Sequence, residues 1–496
     1  MKNLIFTLFT FMFSVWLVDS YGQSSMIVSP GVDITVGPGV TLDIGGEKLL
    51  LQDDYSNALS FLQYGNVSFS GGGESTVEQY LHADNWHMVS SPMQDEVIEA
   101  YLWHYLAQYH ENDNSWTYLN MPLTIPLNVG EGYFAWKYTI DPNGNNPPSP
   151  DFVELSGTMN YQDVNLTLGN TVASPNTGWN LIGNPFPVAI NWNGHADWNL
   201  VNVGATMYIM DNFGGGNYVN WNYNLGGTSS NPNGGYIAAT QGFWVRTAVQ
   251  DGSAASLTIP ASQREHNSAT FLKSGHETVP EQLLLTVEGN GHWDKTIIGF
   301  YGDATSNFDP EYDGEYFYPI EKVLSMYSVV FGEMYSLNEL PSIEQHPVVP
   351  LNFESRVEME YTLSADGIDK FPVDQPIYLE DKQENIFQDL RSNPVYKFTS
   401  SPDDNYQRFN IHFDDGPNQE VAMENIQIFS WQQSVFVDLP FEISGDIFVY
   451  DISGRLMAQQ RATLGRNELK MANAKGNYII RLIANEGVTS KKVYIK

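Results

Sequence analysis

From Val28 onward the apolar residues fall in short segments, and Gly, Asn or Pro interrupts nearly every one of them. Val32-Asp-Ile-Thr-Val36 and Val40-Thr-Leu-Asp-Ile44 alternate apolar with polar, while Leu49-Leu-Leu51, Leu59-Ser-Phe-Leu62 and Val67-Ser-Phe69 are nearly continuous. A period of two places alternate side chains on one face of an extended strand, whereas a helix needs a period of 3.6. Long stretches of the second kind are scarce, so the chain is expected to be all-β. At 496 residues it exceeds what one hydrophobic core organises, which makes it multi-domain. With no cysteine there is no disulfide framework, thiol chemistry or Cys-based zinc site, and stability rests on packing.

The close turn spacing from Val28 to Phe69 predicts a short N-terminal β-ladder, a few solenoid-like rungs that must pack on the next part of the chain. An internal repeat comes next. Trp86-His-Met-Val-Ser-Ser-Pro-Met93 matches Trp179-Asn-Leu-Ile-Gly-Asn-Pro-Phe186, and Gly132-Tyr-Phe-Ala135 matches Gly242-Phe-Trp-Val245. Each motif reads as a strand that buries apolar residues on one face and stops at a proline, which cannot continue the ladder. Between the paired motifs lie Tyr105, Tyr109, Trp116 and Tyr118 in the first copy and Tyr208, Phe213, Tyr218 and Trp221 in the second. Val97, Ile98, Tyr101, Leu102 and Tyr105 form one helix-like patch. The Gly- and Asn-rich stretch from Gly214 to Gly235 reads as a surface loop of the second copy. Two related β-units that share or abut a core are the simplest outcome.

Strand-like segments such as Leu283-Leu-Leu-Thr-Val287, Thr296-Ile-Ile-Gly-Phe300 and Arg408-Phe-Asn-Ile-His-Phe413 predict a further β-sandwich. The last fifty residues predict another: Tyr478-Ile-Ile-Arg-Leu-Ile483 alternates across a strand, and Asp451-Ile-Ser-Gly454 is a turn. Val449-Tyr-Asp-Ile-Ser-Gly-Arg455, Gly476-Asn-Tyr478 and Lys491-Lys-Val493 together resemble the type A sorting domain of the type IX secretion system of Bacteroidota. That resemblance implies an Ig-like sandwich, recognised at the outer membrane by the secretion machinery and removed by its C-terminal-domain-cleaving protease. It also implies that Asp451, Gly454, Arg455, Gly476, Tyr478, Lys491 and Lys492 belong to the sorting signal. The Trp179 motif, with Gln241-Gly-Phe-Trp244 and Arg264-Glu-His266, resembles a module of the same cargo. Phe308-Asp309, Leu379-Glu-Asp-Lys382, Asp389-Leu390 and Arg408-Phe409 are similar to the sandwich that often precedes the sorting domain.

At the other end, Lys2, the apolar run Leu4 to Val18 and small residues Ser20 and Gly22 read as a signal peptide. The run is too short for a transmembrane anchor, and no later stretch is apolar enough for one. The expected organisation is a signal peptide at 1–22, a ladder at 23–78, β-repeats at 79–160 and 161–272, a sandwich at 275–415, a linker at 416–424 and the sorting domain at 425–496. The mature protein is then extracellular or on the outer cell surface, reached through the periplasm. A net charge of −35 excludes nucleic acid and anionic lipid as partners.

Catalytic motifs are absent: there is no G-x-S-x-G elbow, phosphate-binding loop or H-E-x-x-H pair. His82 and His87, the closest histidine pair, read as structural residues beside a strand. Acidic pairs are too numerous to single out the two carboxylates glycoside hydrolysis requires. Two candidate sites remain. Asp309, Glu311, Asp313 and Glu315, with Gly314, space oxygen donors as the first half of a calcium-binding loop does, although its twelfth position is Ile320 and the acid falls one later at Glu321. Calcium is therefore the one cofactor to test, with none as the default. Trp192, Trp198, Trp221 and Tyr223 lie among Asn and Gly, a composition suited to a polysaccharide-binding face and equally to turns and core. The expected role is non-enzymatic: adhesion, surface structure or matrix binding. The alternative is a glycan-binding or glycan-degrading accessory protein, and a catalytic domain within 79–272 would need a cleft with clustered acids or histidines.

Overall fold

The parallel rungs at the N-terminus form the base on which the first repeat is laid down. The computed structural model describes residues 25–495 apart from 47, 55–58, 142, 145, 173–176, 212–215, 229–234, 267–280, 319–323, 415–425, 440–444, 472–474 and 485–486. The expected signal peptide and the 416–424 linker thus lie outside the described residues, as do Ile320 and Glu321. Strands make up 54% of the described residues and short helical turns 4%, so the protein is all-β and multi-domain. Two compact units divide at Ile411 and His412.

In the first unit, Ser25–Val28, Lys48–Leu51 and Glu74–Tyr80 run parallel, and Ile34–Val36 with Phe61–Gln63 and Thr41–Asp43 with Asn66–Ser68 form two flanking parallel pairs. Phe152–Gly157 then closes the main sheet by antiparallel pairing with Glu74–Tyr80. Val28, Leu49, Leu51, Phe61 and Val77 point inward and pack against Val89, Met93, Leu106 and Ala135 of the first repeat. The ladder is thus the backing of that repeat's sheet.

The two repeats have the same sheet order. In the first it is Asn85–Val89, Tyr133–Lys137, Tyr105–His110, Ser115–Tyr118; in the second it is Trp179–Gly183, Gly242–Thr247, Val203–Asp211, Asn217–Asn222. They meet through reciprocal bridges at matching positions, Val89 to Gln241 and Ile182 to Glu131. Around them the Ser90 N–H donates to Thr240 O, the Gly132 N–H to Leu181 O, and the Ser90 hydroxyl to Asn184 O. The approach is so close that a Cβ on Gly183 would lie 2.2 Å from the Ser90 Cβ and 2.6 Å from the Glu131 oxygen. The helix-like patch is a single turn, Ile98–Tyr101, that buries Ile98 and Tyr101.

After the repeats, one eleven-stranded sheet folds over itself as a near-barrel sandwich. Arg408 ties its two ends. The guanidinium donates to both Asp381 oxygens (2.7–3.1 Å) in the strand Tyr378–Asp381, next to the sheet's end strand Ile386–Asp389, and to Thr399 O (2.7 Å) in the strand Val395–Ser400 at the opposite end. It also lies over the Phe398 and Phe409 rings, 4.7 and 5.2 Å from their centres. Tyr396 donates its hydroxyl to Asp381 as well, so the buried carboxylate is fully partnered. The second unit is a separate sandwich of a three-stranded and a four-stranded sheet, with Ile428, Val435, Val437, Ile447, Val449, Ile480 and Leu482 inside. Among the described residues no helix is long and apolar enough to cross a membrane.

These contacts set two stability measurements. Gly183→Ala should lower stability by about 1–3 kcal/mol through overpacking, read as a lower denaturant midpoint, and Ser90→Gly in that background should recover part of it. Asp381→Asn leaves a buried cation under-paired and should cost the sandwich about 3–5 kcal/mol by the same measurement.

Candidate functional site

Strand alternation sorts the first repeat's sheet into two faces. His87, Val89, Leu106, Tyr133 and Ala135 face the ladder, and the ring of His87, pushed down to about 4 by burial, donates to the His82 carbonyl (2.8 Å). Trp86, Tyr105, Tyr109, Trp116, Tyr118, Phe134 and Trp136 occupy the other face. The register places Trp86 opposite Trp136, Trp136 opposite Tyr105, and Trp116 opposite Tyr109. Cross-strand aromatic pairs stabilise such a face, and the rings interlock: Trp86 and Trp136 lie 5.5 Å apart, and Trp116 and Phe134 4.9 Å. Part of the face is covered. Met88, Ala107 and Phe134 pack on Trp179, Tyr208, Tyr218 and Trp244 of the second repeat.

The uncovered part is a groove of about 710 Å³, within the range of ligand sites. Trp86, Tyr105, Tyr118 and Trp136 form its floor, Trp103 and Leu102 its rim, and Asn120, Asn143 and Asn146 supply amides. Tyr118 is 57% exposed and Trp103 40%; a contiguous apolar patch of this kind marks an interaction site, whereas isolated exposed rings are ordinary. The amide side is ordered by Asp141, which accepts the Tyr105 hydroxyl (3.0 Å) and the backbone N–H groups of Asn143 (3.0 Å) and Asn146 (2.9 Å). Asn143 donates in turn to the Tyr105 oxygen (2.7 Å). At the rim Trp103 has φ = 71°, a left-handed conformation that a bulky side chain adopts only at a cost. Its carbonyl accepts the Ser149 hydroxyl (2.6 Å), which holds the turn. Burial pushes the His104 imidazole down to about 4, so a neutral ring completes the wall. Among the described lining residues there is no acid, lysine or arginine.

The sequence model of a family described as a domain of unknown function, DUF8693, matches residues 21–413. The chain belongs to that family. The match spans the ladder, both repeats and the near-barrel as one stretch and stops before the strands of the second unit. No curated protein matches the sequence.

The sequence-derived sites fare differently. The proposed polysaccharide face at Trp192, Trp198, Trp221 and Tyr223 is overturned by burial: Trp192 and Trp198 are fully enclosed, Trp221 nearly so, and Tyr223 packs on Trp192. The indole N–H groups of the three tryptophans are spent inside, on Ala205 O, Asn191 O and the Asn193 side chain, so no sugar reaches those rings. The exposed aromatics belong to the other copy. Alternation of Tyr105, Ala107 and Tyr109, of Trp116 and Tyr118, and of Phe134 and Trp136 is the signal that marks them, because all share one parity on paired strands.

The calcium loop is likewise corrected. The carboxylates of Asp309, Glu311, Asp313 and Glu315 do not converge: Asp309 accepts the Glu311 N–H (3.1 Å), Glu315 pairs with Arg246, and Asp313 accepts the N–H groups of Asp309 (2.7 Å) and Glu339 (2.9 Å). Among the described residues no three His, Asp or Glu side chains are grouped to hold a metal ion. In the second unit Asp451 organises its turn, accepting the Ser453 and Arg455 N–H groups (2.9 and 3.0 Å) and the Arg455 guanidinium (3.1 Å), while Gly454 takes φ = 85°. Gly476 opens the strand Gly476–Ala484 at φ = 117°, Tyr478 points into the core, and Lys491 and Lys492 are exposed on the last strand.

Asp313 belongs instead to a set of buried acids in the near-barrel. Burial raises Asp294 and Asp313 to about 7 and Glu339 to about 8. Such groups keep their protons in the folded chain over a pH range where the unfolded chain has lost them. Their contribution is therefore complete below the ordinary carboxyl pKa and is lost as pH rises through about 7–8. Glu339→Gln should flatten the decline of unfolding free energy between pH 5 and 7 by about 1 kcal/mol per pH unit, measured by denaturation at a series of pH values.

Proposed function

We propose that the protein is an exported, non-enzymatic surface protein that holds neutral glycan in the Trp86–Trp136–Tyr118 groove. The observation that carries this reading is the pairing of exposed ring faces with amide groups along one sheet face. Ring faces suit the C–H face of a pyranose, and Asn120, Asn143 and Asn146 offer both donors and acceptors to its hydroxyls. A groove with no acid, lysine or arginine on its described walls, and with His104 held neutral, favours an uncharged ligand and lacks the two carboxylates that glycoside hydrolysis needs. Adhesion or matrix binding outside the cell fits such a site.

The export route is the type IX secretion system, supported by the leader-like first 22 residues and by the resemblance of the last fifty to a type A sorting domain. A C-terminal unit that is compact on its own suits an address that the pathway's protease removes.

A glycan array probed with residues 23–414 should show binding to neutral polysaccharides. Tyr118→Ala should weaken it by at least about tenfold with unchanged thermal stability. Trp103→Gly relieves the left-handed strain, so it should bind more weakly while melting no lower than the parent. A blank array, or variants that bind as well as the parent, would end the reading.

A further inference from the structure

The groove does not stop at Tyr118. A second cavity of about 340 Å³ shares Trp86 and Tyr118 with it and continues along the strands toward Tyr109 and Trp116. Its walls are of a different kind. Tyr109, Trp116, Phe134, Tyr218, Trp244 and Phe317 line it, and Asn114 is the one amide among its described lining residues. Several rings meet nearly at right angles: Tyr109 against Trp244 at 85°, Trp116 against Trp244 at 85°, and Trp116 against Phe134 at 76°. They form a cornered box rather than a flat platform. A sugar ring placed there would lose water from its hydroxyls and regain few hydrogen bonds, at a cost of kilocalories per group. A small apolar group would lose nothing.

Resting on the glycan reading above, we propose that the ligand is an acetyl-bearing, uncharged sugar, its ring on the Trp86–Trp136–Tyr105 row and its acetyl methyl in the aromatic box. The spacing agrees with one ligand serving both cavities. The mouth of the box, at Phe134 and Tyr118, lies one side-chain row further along the strands, a two-residue step of roughly 7 Å, and its far wall at Tyr109 and Trp116 lies one row beyond that. An acetamido methyl stands about 3.8 Å from the ring carbon that bears it, as successive Cα atoms do across a trans amide, and the ring's own radius covers much of the remainder. The acyl carbonyl also has a partner. Tyr109 donates its hydroxyl to the Asn114 oxygen (3.0 Å), which fixes the amide and leaves its nitrogen to donate outward.

The test uses the protein from Gln23 to the C-terminus and titration calorimetry with defined oligosaccharides. The probes are the N-acetylglucosamine tetramer, O-acetylated xylotetraose and its unacetylated parent, cellotetraose, and the glucosamine tetramer. Acetylated probes should bind roughly tenfold or more tightly than their unacetylated counterparts, the discrimination one buried apolar group supplies. Trp116→Ala should abolish that preference while changing cellotetraose affinity far less. Asn114→Gly, which removes the amide and suits the left-handed backbone there (φ = 53°), should reduce the preference with little change in the melting temperature. A difference between the N- and O-acetylated probes identifies which linkage the box accepts and supports the proposal either way. Equal affinity for acetylated and unacetylated probes would overturn it while leaving the glycan reading intact. A preference for the glucosamine tetramer would overturn it too, because the ring faces would then be selecting a cation. Failure of every probe to bind would overturn both.

Discussion

Two strands bearing the same motif pass each other where no side chain fits between them. At Gly183 and Gly132 the backbones of the two repeats come close enough to exchange bridges at equivalent positions, and Ser90 supplies its hydroxyl across the gap. That approach fixes the angle at which the second repeat lies over the first. It decides which of the first repeat's aromatic residues are covered by Trp179 and Trp244 and which are left open to water. The groove is the remainder of an interface: the same sheet face supplies a dry core at Phe134 and a wet surface at Tyr118, two strands away. A ligand site made this way needs no dedicated loop to form its floor, since the pleat itself aligns the rings.

Much of the architecture was legible because β-structure leaves period-two traces. The ladder, the duplicated motif and the separate C-terminal sandwich are all readable from alternation and turn residues, and the repeat predicts two related β-units. What the sequence could not convey is which face of a duplicated unit a third element covers. Trp192 and Trp198 stand among asparagines that look like surface residues, yet those asparagines cap turns while the indoles fill the core. Trp116 and Tyr118 look like ordinary strand residues and are exposed, because their strand lies at the open edge of its sheet. Composition near a tryptophan is a poor guide to its burial; strand position and partner decide it.

The acidic loop at Asp309 shows the same limit in electrostatic form. Alternating carboxylates can converge on a cation or diverge toward separate backbone donors, and the spacing is identical in both cases. Here Asp313 is drawn under the sheet by the Glu339 N–H, and Glu315 is drawn aside by Arg246. The near-barrel is instead held by a contact between residues remote in the chain, Arg408 with Asp381 and the ring of Phe398, which joins the ends of an open sheet. The motif Leu379-Glu-Asp-Lys382 and the pair Arg408-Phe409 stand out in the sequence, but only the folded chain brings them together.

The density of indoles around the groove has an optical consequence. Trp86 lies 5.5 Å from Trp136, and Trp244 lies 6.0 Å from Trp116 and 6.4 Å from Trp179. At such separations the excited states of neighbouring rings mix, and light absorbed by one chromophore is shared before it is emitted. The protein therefore carries an intrinsic spectroscopic gauge at the place where the two repeats meet, with no label required.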